Sequence, residues 1–421
     1  MNLNQFGNYG RVALLLVILL SIIIRVGLIG VMVKHGFNDQ EEGIIARSIL
    51  NGQGYSYAGT PTAHKPPLYT FILTLCFLPF PSEWTPINYN NAILYHAHLV
   101  DQILKVFVAA ATVLVLYRLG KIVFSPLTGL LGAFLYAANP LLAVQILFPG
   151  HMPYDMLFFT ATLLLFMQVF QDAAPKTVLI YSVVCAITVL ENPVILAFIL
   201  PAQAWLLFRG KYRYSRRWLQ SLVLPIVFIV IFITPWTYRN YRVFNRFVPF
   251  TSNFSLELWY GNNNLATGGF YQGSMPVVSY SIDNKPLNEV QRNQELGREA
   301  IEFILKHPLT ALKLRISSAY YFWFGSWQFT GFPIIFTRVW YALNFLTIIT
   351  AFIGIILAAS KSFERNVPLL IMITGLFIPY ILTHSGDDRY RAGIMPLLML
   401  YIVFLLVRPN IQAEAGSKKF V

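Results

Sequence analysis

Two cysteines in 421 residues, Cys76 and Cys185, each inside a separate apolar stretch, leave no disulfide framework and no thiolate metal spacing. Charge is scarce as well: only 12% of residues are Asp, Glu, Lys or Arg, against 56% hydrophobic. That balance excludes an ordinary soluble domain. No phosphate-binding glycine loop and no dinucleotide fingerprint occurs, which argues against a nucleotide-driven pump. No tandem repeat, heptad array or low-complexity tract is visible. The first apolar run lacks an Ala-x-Ala-like cleavage site before polar sequence and reads as a retained anchor.

What the chain does have is a series of apolar runs near the length that crosses a bilayer. They lie at about 12–33, 94–117, 127–148, 155–170, 177–190, 194–208, 218–235, 339–359, 367–383 and 394–407. The expected fold is therefore an all-α polytopic membrane protein with about ten transmembrane helices, a single domain over 1–421. Short loops carrying Arg118, Lys121, Lys176, Arg209, Lys211, Arg213, Arg216, Arg217, Lys361 and Arg365 fall on one side, with the Arg408 to Lys419 tail. The positive-inside rule makes that side cytoplasmic and puts both termini there. The net charge of +13 is thus mostly anchoring to the cytoplasmic leaflet. The basic residues form no continuous stripe, so no nucleic acid is expected as a partner.

Two long segments interrupt the spans, and both fall outside. In the first, 34–91, residues 39–50 read as a short amphipathic helix stopped by Asn51-Gly52-Gln53-Gly54. After an extended stretch, Pro66-Pro67 introduces an apolar piece at 68–78, too short to span. The second, 236–338, has a Gly/Asn-rich centre and then a polar helix at about 287–305, stopped by His307-Pro308. Residues 312–330 are read as a membrane-hugging segment on the same side. All seven histidines and most acids lie in or next to this outer face.

The chemistry-bearing residues cluster at two places. Asp39, Glu41 and Glu42 open the first-loop helix, where acids also simply suit the helix dipole. A carboxylate there can take a proton from a hydroxyl attacking an electrophilic carbon, with Asp39 as base and Glu42 in support. Lys65 beside His64 is held by the two prolines. At the other end of the chain, His384, Asp387, Asp388, Arg389, Tyr390 and Arg391 crowd a short break between two spans. Ionisable residues at a membrane boundary are expensive, and guanidiniums there suit a phosphate. Arg239 follows Pro235-Trp236 at the outer end of a span, where it also suits a lipid headgroup. Asp155 and Glu191 are acids at outer helix ends. His96, His98 and Asp101 open a span, but nothing in their spacing matches a zinc signature, so no metal and no cofactor is expected.

Several of these residues stand in a familiar order. Asp39…Ala46-Arg47…Gly52-Gln53-Gly54-Tyr55 and then Pro61-Thr62-Ala63-His64-Lys65-Pro66-Pro67-Leu68-Tyr69 resemble the first external loop of bacterial GT-C glycosyltransferases of the dolichyl-phosphate-mannose–protein mannosyltransferase-like group. Leu116 to Lys121, Ala137-Ala138-Asn139-Pro140, Pro235 to Asn240, Trp259-Tyr260-Gly261-Asn262-Asn263 and Asp388-Arg389-Tyr390-Arg391…Pro396 agree in the same order. The resemblance implies an inverting transferase that moves a sugar from a polyprenyl-phosphate donor to a cell-envelope acceptor. It implies an active site on the external face of the plasma (inner) membrane. Asp39 is then the catalytic acid, and Lys65, Arg239, Arg389 and Arg391 hold the departing phosphate. His64, Tyr69, Asp155, Glu257, Trp259, Asn262 and Tyr390 become substrate contacts. Three positions depart from the pattern. Gln40 follows Asp39 where many relatives carry Asp-Glu, Gly43 sits near the position of the Tyr that follows that pair, and Glu191 precedes Asn192-Pro193 where relatives often carry Arg-Pro. The rival reading is a transporter or flippase of lipid-linked saccharides. Such proteins usually place their sites at mid-membrane on broken helices and carry internal repeats, and no repeat occurs here.

Overall fold

The computed structural model describes residues 3–32, 40–84, 96–148, 150–209, 215–269, 281–282, 285–325, 334–384 and 386–407. It is almost wholly helical. In chain order the elements are α1 (Leu3–Met32), α2 (Glu41–Leu50), a hairpin of β1 (Ser56–Tyr57) and β2 (Thr60–Pro61), α3 (Pro67–Phe77), α4 (Pro81–Trp84), α5 (His96–Val123), α6 (Pro126–Ala138), α7 (Pro140–Ala143) and α8 (Met152–Gln171). Next come α9 (Pro175–Glu191), α10 (Leu196–Arg209), α11 (Arg216–Phe244), α12 (Phe254–Gly261) and a hairpin of β3 (Ser281–Ile282) and β4 (Lys285–Pro286). The chain continues through α13 (Glu289–Lys306), α14 (Pro308–Phe324), α15 (Ile334–Lys361), α16 (Phe363–Thr383) and α17 (Met395–Val407), the last entered through a 3-10 stretch, Asp388–Ile394.

Every apolar run of the sequence falls on a helix. Among the described residues, α1, α5, α8, α11, α15, α16 and α17 are long and apolar enough to cross a bilayer. The run at 127–148 is a broken span, α6 and the helical segment after it meeting at 63°. The break has a local cause: Pro140 cannot continue the helix, and the Asn139 carboxamide oxygen caps the next one by accepting from Leu141 N–H at 2.9 Å. The two remaining runs are the shorter helices α9 and α10.

The helices pack through small residues, as expected where lipid supplies no hydrophobic drive between helices. A Cβ on Gly120 of α5 would come within 2.5 Å of the Gly129 Cα of α6. α17 is the central helix, buried along most of its length, whereas α1 and α11 turn Leu16, Leu19, Val230 and Ile231 outward. The two long segments between the spans fold as helices over one end of the bundle. The Asn288 and Gln291 side chains form a capping box that starts α13.

Candidate active site

A cavity of about 570 Å³ opens at one end of the bundle. It is walled by the starts of α2 and α8, the connection after α9, the segment after α11, α12, the end of α16 and the stretch before α17. These are the helix ends opposite the basic short loops. Glu42, Lys65, Asp155, Glu257, Arg389 and Tyr390 all line it, so the two sequence clusters meet in space.

The first-loop side is a compact charge network. The Lys65 ammonium lies 2.8 Å from Glu41 Oε2 and 3.7 Å from Glu42 Oε1. His64 Nε2 is 3.4 Å from the same Glu41 oxygen. Burial would raise the Glu41 pKa, but the His64 hydrogen bond and the Lys65 charge outweigh it and hold the carboxyl well below the usual range. Burial likewise opposes charge on Lys65, yet Glu42 and Glu41 raise its pKa. Glu42 is 5% exposed and faces the cavity, whereas the Glu41 side chain is 42% exposed and faces the rim. Asp39 lies outside the described residues.

A second carboxylate group sits on the opposite wall. Asp155, one turn into α8, is 3.0 Å from His151 Nδ1 and accepts from Asn192 Nδ2 at 3.2 and 3.3 Å. Burial would lower the His151 pKa, but the Asp155 charge and hydrogen bond push it up to about 9. Behind them stands Glu191, 1% exposed, with no hydrogen-bond partner on either carboxylate oxygen among the described residues. One ligand atom from each of His151, Asp155 and Glu191 lies within 4.8 Å of the others. An imidazole and two carboxylates form a donor set suited to zinc or manganese, and an unpartnered buried carboxylate fits a cation. The sequence pointed to no metal because these ligands come from two helices; the His151-x3-Asp155 spacing at a helix start was the signal it held. His96, His98 and Asp101 do not form such a group. His96 stacks on Phe80, His98 sits edge-on to Phe77, and Asp101 pairs with Lys105 at 2.6 Å.

The third wall is aromatic. Tyr390 stacks on Tyr380, centroids 4.4 Å apart and planes at 15°, with His384 edge-on to both. Burial lowers the His384 pKa. Its Nε2 lies 4.0 Å from Glu257 Oε2, so the Glu257 carboxylate faces the cavity beside a neutral imidazole. Arg389 is held by Asp387, whose oxygens accept from its backbone N–H, its Nε and its Nη2 at 2.8–2.9 Å. Sequence reasoning missed His151, Asn192 and Tyr380 as site residues, and named His384 in its second cluster without giving it a role.

The other expected contacts lie elsewhere. Arg391 is 4% exposed and spends its guanidinium on the carbonyls of Phe322, Trp323 (2.9 Å) and Gly325 (3.4 Å) and on Asn344 Oδ1 (2.6 Å). It therefore binds the end of α14. Arg239 donates to the carbonyls of Thr62 (2.6 Å) and Tyr55 (2.5 Å) and lies over the rings of Tyr55, Trp236 and Phe244. It ties the first hairpin to α11. Trp259 packs on Leu296 and Ala300 and donates to Glu299 at 3.0 Å. Two residues from Glu257 on a helix is about 200° away, so the two cannot share a face. Asn262 is 1% exposed and donates to Leu258 O. His64 contacts Glu41 without lining the cavity, and Tyr69 is 2% exposed beneath it.

A polytopic helical bundle with a charged cavity at one end defines a class of membrane protein, and solved structures narrow it. The chain superposes on the Archaeoglobus fulgidus oligosaccharyltransferase AglB in complex with an inhibitory peptide and a dolichol-phosphate, with TM-score 0.57 and 14% identity. It covers 96% of this chain and 50% of that one. The same enzyme with zinc and sulfate gives 0.54 and 16%, over 94% of this chain and 49% of that one. ArnT from Cupriavidus metallidurans bound to undecaprenyl phosphate gives 0.53 and 12%, over 99% and 62%. The chain thus spans half to three-fifths of the length of these neighbours. No family model and no curated protein matches it. Its fold is the one that AglB and ArnT share over these lengths.

Proposed function

We propose that this chain is an inverting glycosyltransferase that moves a sugar from a polyprenyl-phosphate donor to a cell-envelope acceptor on the external face. The observation that carries the reading is the cavity itself. On a GT-C fold it gathers a buried carboxylate (Glu42), two cations (Lys65 and Arg389) and an aromatic wall at the helix ends opposite the basic loops. An acceptor hydroxyl attacks the anomeric carbon, the bond from that carbon to the phosphate oxygen breaks, and the phosphate leaves on its lipid. The hydroxyl proton passes to Glu42, the first-loop acid that lines the cavity, with Asp39 as the competing base. Lys65 and Arg389 neutralise charge on the leaving phosphate, and Tyr380 and Tyr390 offer a stacking face to the sugar. A transporter reading is disfavoured because the polar groups gather at one end of the bundle.

A second feature of the same reading concerns a metal. AglB has been seen with zinc, and His151, Asp155 and Glu191 would hold a divalent cation here. When bound, such an ion would supply fixed positive charge to stabilise a leaving phosphate. The test of the function is to reconstitute the full chain in nanodiscs and measure undecaprenyl phosphate binding with and without Lys65→Ala and Arg389→Ala. Comparison of envelope glycans in cells with and without the gene then reads the transfer. Unchanged glycans together with no undecaprenyl phosphate binding would overturn the reading.

A further inference from the structure

Below the cavity lies an ion pair that the transfer chemistry leaves unused. Asp101 and Lys105 are 1% and 0% exposed and 2.6 Å apart, one turn from each other on α5. At 1.5 Å per residue they sit about 8 and 14 Å in from the outer end of a membrane-spanning helix. Two charges at that depth are costly, and a buried pair rarely stabilises a fold more than apolar side chains of similar volume would. What this pair does is orient one hydroxyl. The Tyr69 hydroxyl donates to Asp101 Oδ2 (3.0 Å) and accepts from Lys105 Nζ (3.1 Å) and from Gly150 N–H (3.1 Å). Its single proton and both lone pairs are then used.

The neighbouring bonds reach residues just before α8 and in its first turn. Lys105 Nζ also donates to Phe148 O at 3.1 Å, and Gln102 Nε2 donates to Leu147 O at 3.3 Å. Tyr154 donates to the second Asp101 oxygen at 3.3 Å. Gly150 sits at φ 136°, a backbone region closed to other residues, and lines the cavity next to His151. α3, which carries Tyr69, begins at Pro67, immediately after the cavity-lining Lys65 and Pro66.

We propose that Tyr69, oriented by the Asp101–Lys105 pair, is a positioning residue that fixes Phe148 and Gly150 against α3, and so holds His151 and the start of α8 at a set distance from Lys65. The catalytic part of this proposal rests on the transfer reading above; the structural part does not. Tyr69 would act through these residues and touch no substrate.

The test compares wild type with Tyr69→Phe, which removes only the hydroxyl, and with the doubly neutral Asp101→Leu/Lys105→Leu. The full chain in nanodiscs is followed by hydrogen exchange of a peptide covering 147–152, by thermal unfolding and by undecaprenyl phosphate affinity. Envelope glycosylation is read in complemented cells. The expected result for Tyr69→Phe is exchange about fivefold faster at 147–152, the loss of roughly one net hydrogen bond. Unfolding temperature should fall without loss of the folded state, because buried partners lose a hydrogen bond, while lipid-phosphate affinity stays near wild type and glycosylation falls at least about tenfold, the scale on which misplaced groups lose rate. The double variant should loosen the same peptide, and if it fails to fold Tyr69→Phe still decides. Unchanged exchange at 147–152 would overturn the mount. Faster exchange with normal glycosylation would overturn its role in the reaction. If wild type itself neither binds undecaprenyl phosphate nor restores glycans, the transfer reading falls while the exchange result still judges the mount.

Discussion

Around Lys65, two carboxylates, Glu41 and Glu42, lie within 4 Å of the ammonium and His64 lies within 4 Å of Glu41, and they meet across two segments of one loop. Between Asp387 and Arg391, by contrast, two arginines two residues apart leave the backbone in different directions. Arg389, held by the buried Asp387, lines the cavity, while Arg391 turns inward onto three carbonyls and an asparagine. The difference comes from backbone shape. Lys65 follows an extended approach to two prolines, so its neighbours His64 and Glu41 stay at the rim. The 388–394 stretch is a 3-10 turn of three residues per turn, so positions i and i+2 diverge by about 240°. Guanidiniums that look equivalent in sequence are thereby split into one that can meet a ligand and one that holds the fold.

The largest effect tests that split. Arg391→Ala should leave the acceptors at the end of α14 without their donor, a cost of about 3–5 kcal/mol for a buried charged contact. Loss of monodisperse protein or a large fall in unfolding temperature is expected. If Arg391→Ala purifies and unfolds like wild type but no longer binds undecaprenyl phosphate, the two arginines have been assigned the wrong way round.

Next in size is the contrast between the two cavity clusters. Glu42→Gln should lower transfer by about 10²–10⁴-fold, the range for a lost general base, with lipid-phosphate binding kept. Arg389→Ala should weaken that binding itself, and Arg389→Lys should restore it only in part because a bidentate contact is lost. Near-normal transfer by Glu42→Gln would move the base to Asp39, which the parallel Asp39→Asn variant reads directly. A smaller effect concerns the opposite wall. The purified chain should bind Mn²⁺ or Zn²⁺ in calorimetry, and Glu191→Gln should weaken that by about 10–100-fold. Equal binding by wild type and variant would remove Glu191 from any metal set.

These contrasts also mark where the sequence was legible. Hydropathy is a one-dimensional signal, so the helices under the ten apolar runs, seven of them long and apolar enough to span, together with the helix at 289–306 and the short helix after Pro66-Pro67, could be read from it. The site was harder because charged residues look alike in a string. Arg239 and Arg391 carry the same guanidinium as Arg389, and only folding decides which carbonyls lie within reach. Glu257 and Trp259 share a motif yet face opposite sides of α12. His151 and Glu191 meet across α8 and α9, 40 residues apart in sequence, so no local spacing could join them.

The smallest effect lies at the rim of the first cluster, where Glu41 differs from its neighbour Glu42. Glu41 makes the shorter contact with Lys65, 2.8 Å against 3.7 Å, yet its side chain is 42% exposed and solvent screens the pair. Its pKa is depressed in the folded protein by His64 and Lys65 against the pull of burial. A group with a depressed folded pKa adds stability above its unfolded value, about 4.3 for glutamate, and loses it as pH falls through that value toward the folded one. Glu41→Gln should therefore cost less than about 1 kcal/mol at neutral pH. The gap from wild type should hold down to about pH 5 and narrow below it. Transfer should change far less than in Glu42→Gln, because Glu41 faces the rim and its neighbour the cavity. Thermal unfolding of both proteins at pH 7, 5 and 4 checks the first point, and glycosylation by the two single variants checks the second. A loss of transfer in Glu41→Gln as deep as that of Glu42→Gln would show that the rim carboxylate reaches the reacting groups, and the division between rim and cavity would have to be redrawn.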